Sequence, residues 1–470
     1  MPAARLPASR IPFLFPATER MAAVALLALC LAAWAAGLAG GFQYDDLPNI
    51  VLDPATAGGE ALRERLANGF RPLLRLSYVA DHALWGFDGT GFLATNLALH
   101  AATVLAVWRL ALGRLADPLA AFLAAALFAL QPVHAAVVSF ASGRSTGLMT
   151  LGLVLALLAH ERAWREGMVR ARRAVFEALS LVAFALAVSA KEVALVYPLL
   201  LMVWESTRPG ATAGRIARRM AGPAFAALAG AALLWALGSR LRELAGYSLA
   251  LADPLEALAR HAAALPLSLA LWLRPWALSV EHPAPGAGAV LPGALALVGL
   301  LLAALALRRR WPLATLGLLW PLAMLTPTHT LIARLDWVVE KPLYPAWIGP
   351  ALALGALLAT WLRRPGRAVP GLVLLAALAT TCAWRAATWA DPAALWREAT
   401  ERAPLSARAW HNRALAESAA GRDADARRSI DMALALDADL PRTQALALAI
   451  SLAADDEAPS PSLPSRSPPP

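Results

Sequence analysis

Cysteine is almost missing from this 470-residue chain: Cys30 and Cys382 are its only two, and both sit inside apolar runs. Two such cysteines make neither a disulfide framework nor a metal-ligand spacing. Lysine is equally scarce, with Lys191 and Lys341 alone against a background of arginine. Charged residues of all kinds reach only 16%, well below the roughly 25% of a soluble domain. Apolar residues fill the gap, at 59% of the chain and a mean hydropathy of +0.55. A water-soluble fold of this size has no interior large enough for that much apolar surface, whereas a bilayer does. The formal net charge of +10 raises nucleic acid as a partner, but the placement of the arginines excludes it. They gather in short loops between apolar runs, as membrane topology demands. A nucleic-acid surface would place them on one face, interleaved with aromatics.

A membrane-spanning helix needs roughly 20 mostly apolar residues. Such runs fall at 21–40, 93–112, 118–134, 146–161, 175–190, 192–206, 221–238, 288–307, 312–326, 345–362 and 368–386. They predict an all-α, polytopic membrane helix bundle of about eleven spans. The first run follows Arg5, Arg10 and Arg20 and ends AAGLAGG, a pattern shared by cleaved signal sequences and signal anchors. The many later spans favour the anchor, which puts residues 1–20 in the cytoplasm. Arg114, then Arg162 to Arg173, Arg208 to Arg219, Arg308 to Arg310 and Arg363 to Arg367 then fall in inside loops, as the positive-inside rule requires. The alternation holds only if 253–280, with Trp272 and Trp276, stays at the outer interface without crossing. The expected product is a multi-pass inner (plasma) membrane protein. Its membrane unit covers 21–390, and its long outer loops run 41–92, 239–287 and 327–344. The following region, 391–454, is polar and helical, with amphipathic helices over 404–440. The tail 455–470 is rich in Ser and Pro and cannot bury a core.

Long outer loops are where a membrane bundle keeps its chemistry. The first opens GGFQYDDLPNIVLDP. Asp45 and Asp46 are adjacent carboxylates at a membrane surface, and in a partly dry site one of them can act as a base. They also fit solvated acids at a helix end. Arg71 and Arg75 follow, and guanidinium groups suit phosphate oxygens. Asn96 and His100 lie four apart and share one helix face. They serve a cavity or an interhelical hydrogen bond. LQPVHAAVVSFASGRSTG brings His134 and Arg144 to the outer side. SAKEVALVYP places Lys191 and Glu192 between two close spans, where a helix-end ion pair is the simplest reading. ARLDWVVEKPLYPAWIGP carries Arg334, Glu340, Lys341 and Tyr344.

Taken in order, FQYDDLPNI, FRPLLRLSY, GTGFLATNLALHA, LFALQPVHAAVVSFASGRSTGL, SAKEVALVYPLLL, LRPWALSVEH and EKPLYPAWIG resemble the membrane O-mannosyltransferase family with transmembrane and tetratricopeptide-repeat parts. More broadly the chain looks like a GT-C-fold glycosyltransferase that uses lipid-phosphate sugars. The resemblance covers about 20–440. It implies that Asp45 or Asp46 is the catalytic acidic position, and that Arg144, Lys191 and Glu340 fall near the donor site. Ala135 and Ala136 stand where the family often has an acidic residue. WHNRALAESAAGRDADARRSIDMALALDAD resembles one tetratricopeptide unit, with Trp410, Ala414, Gly421, Ala426 and Ala433 at the repeat's offsets. A lone unit buries its own face poorly, so it docks on the membrane part or on a protein partner.

The expected activity is transfer of a sugar from a polyprenyl-phosphate donor to a hydroxyl of a protein Ser/Thr or a glycan, on the outer face. The resemblance favours mannose. Candidate donor-phosphate and substrate contacts are Arg71, Arg75, His100, His134, Arg144, Lys191, Glu192 and Glu340. The one cofactor left open is a divalent metal ion, at Asp45 or Asp46. Partners are the lipid-linked donor, the acceptor and membrane lipid, with no nucleic acid. Two alternatives stand beside this. One is a non-enzymatic scaffold anchoring the repeat-like region for assembly of an envelope complex. The other is a transporter, which the absence of repeated halves disfavours.

Overall fold

The computed structural model describes residues 17–68, 71–236, 246–248, 250, 252–327, 336–437, 443, 444 and 446. Residues 1–16, Arg334 and the tail 455–470 lie outside them. The described residues are helical throughout, with no strand. The longer helices are α1 (Ala17–Trp34), α2 (Gly59–Asn68), α3 (Pro72–Trp85), α4 (Gly89–Leu115), α5 (Pro118–Ala129), α6 (Arg144–Ala163), α7 (Arg170–Ala190), α8 (Tyr197–Ser206) and α9 (Ala213–Ala236). They continue with α10 (Pro254–Ala270), α11 (Val290–Leu307), α12 (Pro312–Thr326), α13 (Ile348–Leu362), α14 (Ala368–Ala390), α15 (Pro392–Arg402), α16 (Ala407–Ala419) and α17 (Asp423–Leu436). Asp-Pro pairs start several of them. Asp117, Asp253 and Asp391 each accept a backbone N–H of the first turn. The proline that follows needs no partner there.

Seven helices among the described residues are long and apolar enough to cross a membrane: Ala17–Ala39, Gly89–Leu115, Ala141–Ala163, Arg170–Ala190, Ala287–Leu307, Leu343–Leu362 and Ala368–Ala390. Pro118–Ala129 and Pro132–Val138, bent by 50°, make an eighth if counted as one span. The chain is a multi-pass membrane protein. Large apolar side chains stay open along α11 (Leu291, Leu295, Leu302) and α14 (Val369, Leu372, Val373), a surface that only lipid covers comfortably. The eleven runs of the sequence exceed these eight by three. The 192–206 stretch is a 3-10 turn, Glu192–Val196, followed by the ten-residue α8. At about 1.5 Å per residue α8 spans about half of a bilayer core. The run 312–326 makes the 15-residue α12. The run 221–238 lies within α9, whose first turns carry Arg215, Arg218 and Arg219. The stretch 253–280 forms α10 and a 3-10 turn, Pro275–Ala277. There Trp272 packs against the Trp347 ring at 4.9 Å, while Trp276 is open.

The bend after α5 organises the core. Pro132 cannot donate to the helix behind it, so carbonyls at the end of α5 lose their partners. Indole groups replace them: Trp347 Nε1 donates to Leu127 O at 3.0 Å, and Trp34 Nε1 to Ala129 O at 2.9 Å. Ala129 O also receives His100 Nε2 at 3.3 Å. Close packing of α13 on α5 requires Gly355, where a Cβ would fall 2.5 Å from Ala124 N.

α1 and α4 run antiparallel, with Glu19 at the start of one bonded to Arg109 near the end of the other at 2.7 Å. The bundle therefore has two distinct ends. At the Glu19 end, a polar cavity of about 910 Å³ is lined by Arg208, Arg219, Glu161 and Glu205. At the other end, the turn after α1 meets the loop before α6, and the carboxyl-terminal helices dock there. α16 and α17 pack face to face with Ala414, Ala426 and Ala433 buried at the contact and Gly421 turning the chain at φ +69°. The hairpin joins the bundle through α15: Trp396 packs on Tyr44, with ring centroids 5.4 Å apart.

Candidate functional site

The turn 43–46 ends the α1 segment and folds back on itself. Tyr44 takes a left-handed φ of 50°, and Gln43 Nε2 ties the turn to Trp389 O at 3.0 Å. The two carboxylates that follow have different surroundings. Asp46 is fully buried. Its Oδ1 accepts the Ser142 N–H at 2.7 Å and its Oδ2 the Gln43 N–H at 3.2 Å. Burial pushes its carboxyl up to about 6, against the pull of those donors. The Asp45 side chain is 42% exposed, and its Oδ2 lies 3.6 Å from Lys341 Nζ. Lys341 in turn sits over the Phe140 ring, 4.5 Å from its centroid. The Ser142 and Phe140 contacts depend on a tight loop before α6. A Cβ on Gly143 would fall 2.7 Å from Ala136 O and Val137 Cα, so only glycine fits there.

Glu340, beside Lys341, faces the 275–282 stretch. Its Oε1 accepts the Ser279 N–H at 2.7 Å and lies 3.1 Å from His282 Nε2. The next residue after Val280, Glu281, takes Arg408 of α16 in a two-pronged pair at 2.7–3.1 Å, and Ser406 at 2.9 Å. Arg408 also bonds Asp336. The carboxyl-terminal hairpin thus forms one wall of the site. Behind it, Arg385 of α14 is fully buried and donates to both oxygens of Glu398, at 2.7 and 2.9 Å.

The other expected residues form a belt beside this turn, and most are occupied. Arg144 is fully buried. It donates to Asn96 Oδ1, Ser77 O and Phe92 O at 2.9, 3.2 and 2.7 Å, and pairs with Asp81 at 2.5 Å. Arg71 binds Glu192 with two prongs, at 2.7 and 2.9 Å. Burial would raise Glu192, but the Arg71 charge and hydrogen bonds, with a backbone N–H and the Lys191 charge, together outweigh it and hold the carboxyl down to about 2. Arg75 bonds Asp53 at 2.8 Å and Asn49 O at 2.9 Å. Lys191 Nζ donates to Thr146 Oγ1 at 2.8 Å.

The structure places three expected residues against partners of the protein itself. Arg144 has most of its N–H groups bound within the bundle. His100 meets Ala129 O and the Tyr344 hydroxyl, at 2.9 Å, through its two ring nitrogens, the interhelical bond that its place on the helix face allowed. Glu192 pairs with Arg71 rather than with its neighbour Lys191. His134 is enclosed among Phe128, His100 and Tyr344, at ring distances of 4.8, 5.8 and 4.4 Å, within the bent span. No group of three His, Cys, Asp or Glu side chains among the described residues could hold a metal ion. Asp46 spends an oxygen on each of two N–H groups, which leaves Asp45 as a lone ligand. That donor set does not fit a protein-held divalent cation. The residues missed were Gln43, Ser142, Arg385 and Trp389. Arg385 carried a signal, as an arginine inside an apolar run (TCAWRAATWA) is a pointer to function or to a buried partner.

In sequence the chain is similar to protein O-mannosyl-transferase F38B6.6 of Caenorhabditis elegans, at 27% identity over 154 residues, 29% of this chain and 22% of that one. It is also similar to protein O-mannosyl-transferase TMTC1 of Mus musculus, at 32% identity over 163 residues, 31% of this chain and 17% of that one. The matched stretch therefore spans less than a quarter of the length of these relatives. No family model matches. The crystal structure of ArnT from Cupriavidus metallidurans bound to undecaprenyl phosphate aligns with 93% of this chain and 78% of its own, at a TM-score of 0.45 and 15% identity. A likeness that loose carries no argument about residues. The resemblance read from the motifs stands, and it is to O-mannosyl-transferases.

Proposed function

We propose that the chain is a GT-C-type membrane glycosyltransferase. It moves a sugar, mannose by its relatives' names, from a polyprenyl-phosphate donor to a hydroxyl of a protein Ser/Thr or a glycan. The observation that carries this is the division of labour between neighbouring acids. Asp46 is locked inside and fixes the turn, while Asp45 stands open beside Lys341. Asp45 takes the acceptor's proton as its oxygen attacks the anomeric carbon. The bond from that carbon to the phosphate oxygen breaks, and its electron pair leaves with the lipid phosphate. Lys341 meets that charge. The reaction face is the outer side of the plasma membrane, with the carboxyl-terminal hairpin on the same side.

The test is transfer from radiolabelled polyprenyl-phosphate mannose in membranes, comparing wild type with Asp45→Asn at equal expression. General-base removal costs roughly 10²–10⁴ in rate, and Asp45→Asn should fall in that range. A wild-type rate in that variant overturns the assignment of the base. No transfer by the wild-type chain from any lipid-linked sugar leaves the scaffold reading instead.

A further inference from the structure

Two enclosed side chains line one small cavity of about 50 Å³ at the site, and each has a polar atom with no partner. Trp389, 2% exposed, has an unmatched indole Nε1–H. Glu340, 4% exposed, has an unmatched Oε2, its other oxygen being taken by Ser279 and His282. Buried polar atoms in native proteins are mostly matched, so two unmatched atoms on side chains that line one space need an explanation. One atom is a donor and the other an acceptor. A phosphate or carboxylate would satisfy the indole and be repelled by Glu340. An ammonium group would satisfy Glu340 and leave the indole bare. A hydroxyl satisfies both with a single atom, which a space of this size favours. Water has the same chemistry, and a ligand hydroxyl that reproduces both bonds displaces it without loss.

We infer that Trp389 and Glu340 form a hydroxyl-binding subsite, with the indole donating and Glu340 Oε2 accepting, that seats a hydroxyl of the sugar or of the acceptor. Lys341 lines the same cavity and stands 3.6 Å from Asp45, so a hydroxyl held there is one side chain away from the proposed base. Arg408 of the hairpin closes the rim. The inference rests on the glycosyltransferase reading for its ligand class, not for its geometry.

The experiment uses the full chain in lipid nanodiscs and measures binding, so turnover is not required. Saturation-transfer NMR titrates methyl α-mannoside in one arm and a Ser/Thr-rich peptide in the other. Trp389→Phe keeps the ring and removes the N–H. Glu340→Gln keeps an acceptor for Ser279 and His282 and turns the cavity-facing oxygen into a donor. Each variant should weaken one probe about tenfold, the worth of one such bond, and the probe that weakens names the source of the hydroxyl. Thermal melting checks both folds, and Trp389→Phe keeps the test open if Glu340→Gln loosens the 275–282 stretch. Equal binding in wild type and both variants, or no binding of either probe to wild type, overturns the subsite. Failure of the glycosyltransferase reading shows separately, as absent transfer by a chain that still binds.

Discussion

The belt around Arg144 and the turn at Asp45–Asp46 hold the same kinds of residue, yet they use them in opposite ways. In the belt, cations meet protein acceptors: Arg144 with Asp81 and Asn96, Arg71 with Glu192, Arg75 with Asp53. At the turn the accounts are left open. Asp46 is buried without a paired cation, Asp45 stands half open, and Glu340 and Trp389 each keep an unmatched atom. Burial does not separate the two regions, since Asp46 and Glu192 are both enclosed. Their carboxyls nonetheless move in opposite directions, up to about 6 and down to about 2. A guanidinium in contact makes the difference. Matched charge builds the frame, and unmatched charge is available for chemistry.

The sharpest way to break this comparison is to swap stability against rate. Arg144→Met removes the countercharge of buried Asp81, and breaking such a pair costs about 3–5 kcal/mol. Its melting temperature in detergent should drop steeply, with transfer lost only as the protein unfolds. Asp45→Asn should do the reverse, melting with wild type while turnover collapses. If Arg144→Met melted normally but failed to transfer, the belt would belong to the site after all.

The two enclosed acids give the next effect, with opposite pH windows. Asp46 is raised from 3.8 to about 6. Its contribution is therefore present below pH 3.8 and lost as pH rises through about 6, some two units or about 3 kcal/mol. Glu192 is lowered from 4.5 to about 2. Its contribution is present above pH 4.5 and lost as pH falls through about 2, again about 3 kcal/mol. Melting curves from pH 3 to 7 should flatten between pH 4 and 6 in Asp46→Asn, and below pH 4.5 in Glu192→Gln. Matching slopes in both variants would mean that burial alone sets these groups.

Much of the bundle was legible because apolar length is a local property. Eight of the eleven runs are helices or bent pairs of spanning length, and the Asp-Pro starts stand in the sequence. Of the three surplus runs, 192–206 and 312–326 form short helices, while 221–238 falls in the 24-residue α9, and composition alone does not tell a helix packed among helices from one that crosses. The site was half legible. Asp45, Asp46, Glu340 and Lys341 were named and do come together. The arginines and histidines of the belt were weighed as ligand contacts because each has the right chemistry. What occupies them is partner choice across long separations, such as Arg144 with Ser77, Asp81, Phe92 and Asn96, or His100 with Ala129 O at the bend. Trp389 reads as one more apolar residue until its indole is seen to have no partner.

The smallest effect tests whether the hairpin is part of the frame or of the site. Its clamp is Arg408 between Glu281 and Asp336, with 34% of the arginine side chain exposed. Pairs this open to water contribute up to about 1 kcal/mol. Arg408→Ala should leave the bundle's melting unchanged, while limited proteolysis between α15 and α16 quickens about fivefold, the factor that 1 kcal/mol of local opening allows. The packing of Trp396 on Tyr44 remains in that variant, so the hairpin loosens without leaving. Unchanged proteolysis would show that the apolar contact alone holds the hairpin and that the clamp is surface decoration. A fall in the melting of the whole bundle would place the hairpin in the frame, and the contrast between matched frame and open site would then have to be drawn elsewhere.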